Sequence, residues 1–204
     1  MKYFGNGVVP NKDGFSTLSD PNITVEYQAS TLFNGDDATN AGNFAFFTSN
    51  VIFIGINQVG GGVVGDEISR VGGNYEWVKY NMAKYVSRGM RAIVIFAHAS
   101  MGGSRQRHFG TPFMNLLRTT SYSRTKALYI HGDGHDFYTY SPDVNNRNLL
   151  GVQVDAGEEA NPLLISVNHD TNADEISFDI DVRGGGYIGG CQAGNIDKTW
   201  SSPY

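Results

Sequence analysis

A single cysteine, Cys191, stands among 204 residues, which excludes an internal disulfide and any zinc site built on several thiolates. Long apolar runs are missing too. No stretch of the chain approaches the roughly 18 residues that a membrane-spanning helix needs, so no membrane span is expected. An excess of positive charge is likewise absent: 15 Lys and Arg face 20 Asp and Glu, for a formal net charge of −5. The basic residues are scattered along the sequence rather than clustered, so nucleic acid is not an expected partner. Met1-Lys2-Tyr3-Phe4-Gly5-Asn6 lacks the pattern of a signal peptide. Asn22-Ile23-Thr24 is nonetheless a glycosylation sequon, the one feature that points to a secretory or extracellular location, although chance produces such triplets often.

What is present suffices for one folded unit. Hydrophobic residues make up 40% of the chain, a normal share for a globular domain with its own core. Residues 1–42 and 183–204 are rich in Gly, Asn, Asp and Ser with little periodicity, and Arg183-Gly184-Gly185-Gly186-Tyr187-Ile188-Gly189-Gly190 reads as a Gly-rich tail. The expected division is an irregular N-terminal segment over 1–42, a folded region over 43–182 and the tail over 183–204.

Within the folded region, Phe44–Phe47 and Val51–Ile56 are β-favouring runs separated by Thr48-Ser49-Asn50, the pattern of a hairpin whose second strand is buried on both faces. Residues 74–87 carry Tyr75, Val78, Met82 and Tyr85/Val86 at steps of three and four, which predicts a helix with Asn74 as N-cap and Gly89 beyond its end. Ala92–Phe96 follows as a strand, and strand, helix, strand in this order predicts parallel pairing. A short helix is expected over 111–120, then a buried strand at Ala127–Ile130. Later runs at 137–140, 149–154, 163–167 and 176–180 are joined without helices, which predicts antiparallel sheet.

The chemistry concentrates behind two of these strands. His98 follows one, and His131-Gly132-Asp133-Gly134-His135 follows the next. Ligands of open α/β sheets bind beyond the carboxyl ends of the strands, so both loops should open onto one crevice. The glycines permit tight turns, and imidazole with carboxylate suits Zn, Mn or Fe better than Ca or Mg. A histidine at a strand end is more often a hydrogen-bonded structural residue than a ligand. It is the density of three candidate ligands in five residues that favours function here. His108 and His169 lie in polar loop contexts and read as solvated, and Trp77 reads as core.

These residues resemble the calcineurin-like metallophosphoesterase superfamily, whose blocks run Asp-x-His, Gly-Asp, Gly-Asn-His-Asp/Glu, a lone His, and Gly-His-x-His. Ile93-Val94-Ile95-Phe96-Ala97-His98 resembles the fourth block, with Ala97 where Gly is usual, and Ile130 to Phe137 resembles the fifth in a His-Gly-Asp-x-His form. Glu76-Trp77-Val78, Asn145-Asn146-Arg147 and Gly151-Val152-Gln153-Val154 are similar to segments flanking those blocks, so the resemblance spans about residues 43–180. It implies an α/β fold of packed β-sheets flanked by helices, lacking the N-terminal half. It further implies two metal ions (Fe, Zn or Mn) and a phosphate-ester substrate. His98 and Asp133 would serve the second metal, His135 the first, and His131 would assist catalysis as an orienting residue. Asp133 replaces a usual His and adds negative charge next to an anionic substrate. No Asp-x-His or Gly-Asn-His block precedes residue 98, and Gly35-Asp36-Asp37 sits in the wrong context to replace them. The expectation is therefore a fragment or subunit completed by a polypeptide carrying those motifs. The alternative is a catalytically degenerate module with a binding or assembly role. A metal-free hydrolase is disfavoured because no Gly-x-Ser-x-Gly elbow occurs.

Overall fold

The computed structural model describes residues 23–28, 42–59, 67–104, 106–154, 163–170, 172–182, 187–188, 191–192 and 198–200. The Asn22 position of the sequon and Gly35-Asp36-Asp37 lie outside them. Its frame is a mixed seven-stranded sheet in the order β1-β2-β3-β4-β5-β7-β6. Strand β1 (Glu26–Tyr27) edges the hairpin of β2 (Phe44–Thr48) and β3 (Val51–Gly55). The hairpin turns at Ser49 and Asn50, both at positive φ, the conformation whose twist suits a two-residue connection. Strands β4 (Ala92–Phe96) and β5 (Lys126–His131) continue the sheet in parallel. Short apolar runs bounded by polar loops dictate this, since strands covered on both faces cannot alternate polar and apolar residues.

Helix α1 spans Glu67–Val86 and starts well before the expected 74. Asn74 is therefore no cap: it lies inside the helix, fully buried, and its amide donates to the Asn57 carbonyl at 3.0 Å. The other end matches expectation, with Gly89 at φ +85 and Met90 N donating back to Tyr85 O at 3.1 Å. Helix α2 spans Arg107–Leu117 rather than 111–120. Phe109, Phe113 and Leu117, four residues apart, form its buried stripe, and that stripe outweighs the interior Pro112.

Strand β7 (Leu149–Gln153) corrects the expectation of an antiparallel region, because it pairs parallel to β5 with Ala127 opposite Leu149. Residues 132–148 are long enough to cross over without a helix. Within them β6 (Tyr138–Tyr140) folds back antiparallel onto the outer side of β7. The antiparallel expectation does hold for β8 (Leu163–Asp170) and β9 (Glu175–Val182), joined in a second sheet by β12 (Lys198–Trp200). Parts of the expected irregular ends are thus strand, including β10 (Tyr187–Ile188) and β11 (Cys191–Gln192).

The core has two compartments, one on each face of the large sheet. On one face Ile52, Ile54, Ile93, Ile95 and Tyr129 pack against Trp77, Val78 and Met82 of α1 and Phe109, Phe113 and Leu117 of α2. On the other, Val51, Val94, Leu128 and Val152 meet Ile176, Phe178 and Ile180 of β9. Helices cover one face and a second sheet the other. This is an α/β fold of packed sheets with helices.

Candidate functional site

His98 and Asp133 each lie two residues past the end of a parallel strand, β4 and β5 respectively. The backbone ladder runs on beyond the strands and ties the two loops together. Ala97 N donates to Ile130 O at 2.9 Å, and Gly132 N donates to His98 O at 3.0 Å. As a result His98 Nε2 stands 3.4 Å from Asp133 Oδ1, with the two side chains 54% and 46% exposed. An exposed pair of this kind contributes roughly 0–1 kcal/mol to stability. Folding gains little from it, and both groups remain accessible to a ligand.

The loop after β3 forms the third wall. The Gln58 carbonyl accepts from both His98 N (3.0 Å) and Ala99 N (2.8 Å). The buried Gln58 amide donates to the Tyr129 hydroxyl at 3.0 Å, and that hydroxyl donates to Ala99 O at 2.6 Å. Behind it, buried amides interlock: Asn43 donates to Gln28 and Asn74 at 2.7 and 2.8 Å, and accepts from Asn57 N at 2.5 Å. Buried amides of this density are costly unless paired. Their pairing fixes the loop that holds the His98 backbone.

His131 is the last residue of β5 and is 1% exposed. Its Nε2 lies 2.9 Å from the Tyr140 hydroxyl, and its Nδ1 has no partner among the described residues. Burial pushes its pKa below the ordinary value; the Asp133 charge opposes that shift and His98 adds to it. The imidazole is thus neutral near pH 7. Burial likewise pushes the Tyr140 phenol far up, and that phenol stays protonated. His135 is exposed and sits at φ +60, an uncommon conformation for a residue with a Cβ. The loop reaches it by folding over Gln153, whose amide donates to Asp136 O at 2.8 Å.

Of the four residues singled out in the sequence, His98 and Asp133 are in contact and His131 sits behind them. His135 joins neither in a closed set: among the described residues no three His, Cys, Asp or Glu side chains are arranged to hold a metal ion. Imidazole and carboxylate are donor types that a metal ion accepts, but the two in contact, His98 and Asp133, fall short of the three or more protein ligands of a typical metal site. His108 is exposed as expected but lies within α2 rather than in a loop. His169 corrects its loop reading, since it is a half-buried residue of β8 at 3.6 Å from Asp174. Sequence reasoning passed over Gln58, Tyr129 and Tyr140. Asn57-Gln58 directly after the Val51–Ile56 run was the available signal, a third polar pair at a strand end. No protein-family model, curated protein or solved structure matches the chain.

Proposed function

We propose that this chain contributes to metal-dependent hydrolysis of phosphate esters, as the part of a two-metal site that supplies His98 and Asp133 to one ion and His135 to the other. The observation that carries this is the His98 and Asp133 contact at the ends of adjacent parallel strands, where the resemblance to metallophosphoesterases assigns both to the same metal. Bound metal ions would polarise the phosphoryl group and lower the pKa of a water molecule. The chain's own residues do the positioning. Gln58 holds the His98 backbone, and buried His131, held by Tyr140, ends β5 two residues before Asp133. A polypeptide carrying Asp-x-His and Gly-Asn-His blocks would complete the set.

The second reading is a degenerate module kept for binding or assembly. It is favoured by the missing blocks and by the lack of any three-ligand group among the described residues. Elemental analysis by mass spectrometry of the purified protein, with whatever chain accompanies it, separates the two. Near two equivalents of Fe, Zn or Mn, together with hydrolysis of p-nitrophenyl phosphate, is expected on the first reading. Asp133→Asn and His98→Ala should then each lower the metal content by about one equivalent. Metal content unchanged in both variants, or no metal in the parent, selects the second reading.

A further inference from the structure

The two sheets end in different ways. The large sheet stops at short strands, β1 with two residues at one edge and β6 with three at the other. The second sheet, in the order β12-β9-β8, has one short edge, β12 with three residues, and one long edge, β8 with eight. An open row of backbone N–H and C=O groups is a template for another strand, and short length, Lys, Pro and bulges are the usual protections. Strand β8 has none of them. Leu163–Asp170 contains no Lys, Arg or Pro, its one carboxylate is its last residue, and its register with β9 runs unbroken from Leu163 opposite Val182 to Asp170 opposite Glu175. Among the described residues no strand lies on the other side of β8.

The side chains of β8 are incompletely covered in the same sense. Leu163, Ile165 and Val167 share the inner face of the second sheet with Ile176, Phe178 and Ile180 of β9, and all six pack on the core between the sheets. The three β9 residues are 0–3% exposed, whereas the three β8 residues are only half-buried. An apolar stripe that points inward thus remains partly in water along the open flank of β8. On the outer face Leu164 is exposed as well.

We infer that β8 pairs with the β8 strand of a second copy of this chain, antiparallel about a two-fold axis. Side chains alternate between faces, so the apolar stripes meet only if the axis passes through a residue rather than between two. An axis at Ser166 uses most of the strand: Ser166 faces its own counterpart, Ile165 faces Val167, Leu164 faces Asn168 and Leu163 faces His169. Each inner stripe then covers the other. Charge also favours a self-match. The chain carries a net charge of −5, yet no carboxylate faces another in this register, because Asp170 lies beyond the paired stretch. Two three-stranded sheets become one of six strands, a common size. The two-fold axis uses up the one long edge found among the described residues, so the assembly closes as a dimer. The histidine loops belong to the other sheet, and the inference does not rest on the phosphoesterase reading.

The test is sedimentation velocity of the whole chain between about 1 μM and about 1 mM. The expected result is a reversible equilibrium of monomer and dimer with no larger species. Ser166→Lys sets two ammonium groups against each other at the axis and should weaken the dimer at least about tenfold. It does so while lowering the net charge that repels the protomers, so overall repulsion cannot account for the loss. Ser166→Glu should weaken the dimer in the same way, and an equimolar mixture of the two variants should regain it. That recovery also shows that both variants are folded. Ser177→Lys adds the same charge to the same face of the central strand β9 and should leave the dimer within about twofold. A parent that stays monomeric, a dimer untouched by Ser166→Lys, an equal loss in Ser177→Lys or a mixture that stays monomeric overturns the inference.

Discussion

Among the histidines at the strand ends, only His131 is out of reach of solvent, and this sets a pH response. Its pKa falls below the ordinary 6.5 on folding, chiefly through burial. Between the two values the unfolded chain binds more protons than the native one, so stability drops as pH falls through and below 6.5 and is unaffected well above it. The slope from one such group cannot exceed about 1.4 kcal/mol per pH unit. Urea unfolding between pH 8 and 5 should show this loss, and His131→Gln should flatten it. An unchanged slope in the variant would place the acid sensitivity elsewhere.

At the scale of elements, the seat of α2 on the loop after β4 depends on a residue without a side chain. A Cβ at Gly110 would stand closer than 3.0 Å to the backbone oxygen of Met101. Ala in place of Gly normally favours a helix by about 0.8–1.0 kcal/mol, but overpacking against backbone costs roughly 1–3 kcal/mol. Gly110→Ala should therefore destabilise, by up to about 2 kcal/mol net. The matched control is Gly102→Ala, where nothing lies within 4 Å and φ is not positive. Chemical denaturation should rank the first variant well below the second; the reverse order would mean α2 can slide on its loop.

For the whole molecule, stability rests on covering both faces of the large sheet. Phe178 of β9 is fully buried between the two sheets. Phe178→Ala should cost about 3–5 kcal/mol, which for a chain of this size lowers Tm by on the order of 10 °C. Differential scanning calorimetry measures the shift. A loss under about 1 kcal/mol would show that the second sheet contributes little to the cooperative unit.

What the sequence determined by itself follows from local patterning. The apolar runs of β3, β4 and β5 are bounded by polar loops, and a strand covered on both faces has no other way to be written. The hairpin turn at Ser49 and Asn50, the Gly89 stop after α1 and the density of ligand-type residues at 131–135 are local in the same sense. The tertiary structure decided the rest. Nothing in Leu149–Gln153 says whether its neighbour runs parallel, because a crossover of 17 residues without a helix serves either direction. Asn74 carries the composition of a cap but has its partner in Asn57, 17 residues back, a contact that helical periodicity does not encode. The same limit applies at the ends of the strands. His98 meets Asp133 across 35 positions because parallel strands bring their matching ends together, and only strand order fixes which ends are neighbours.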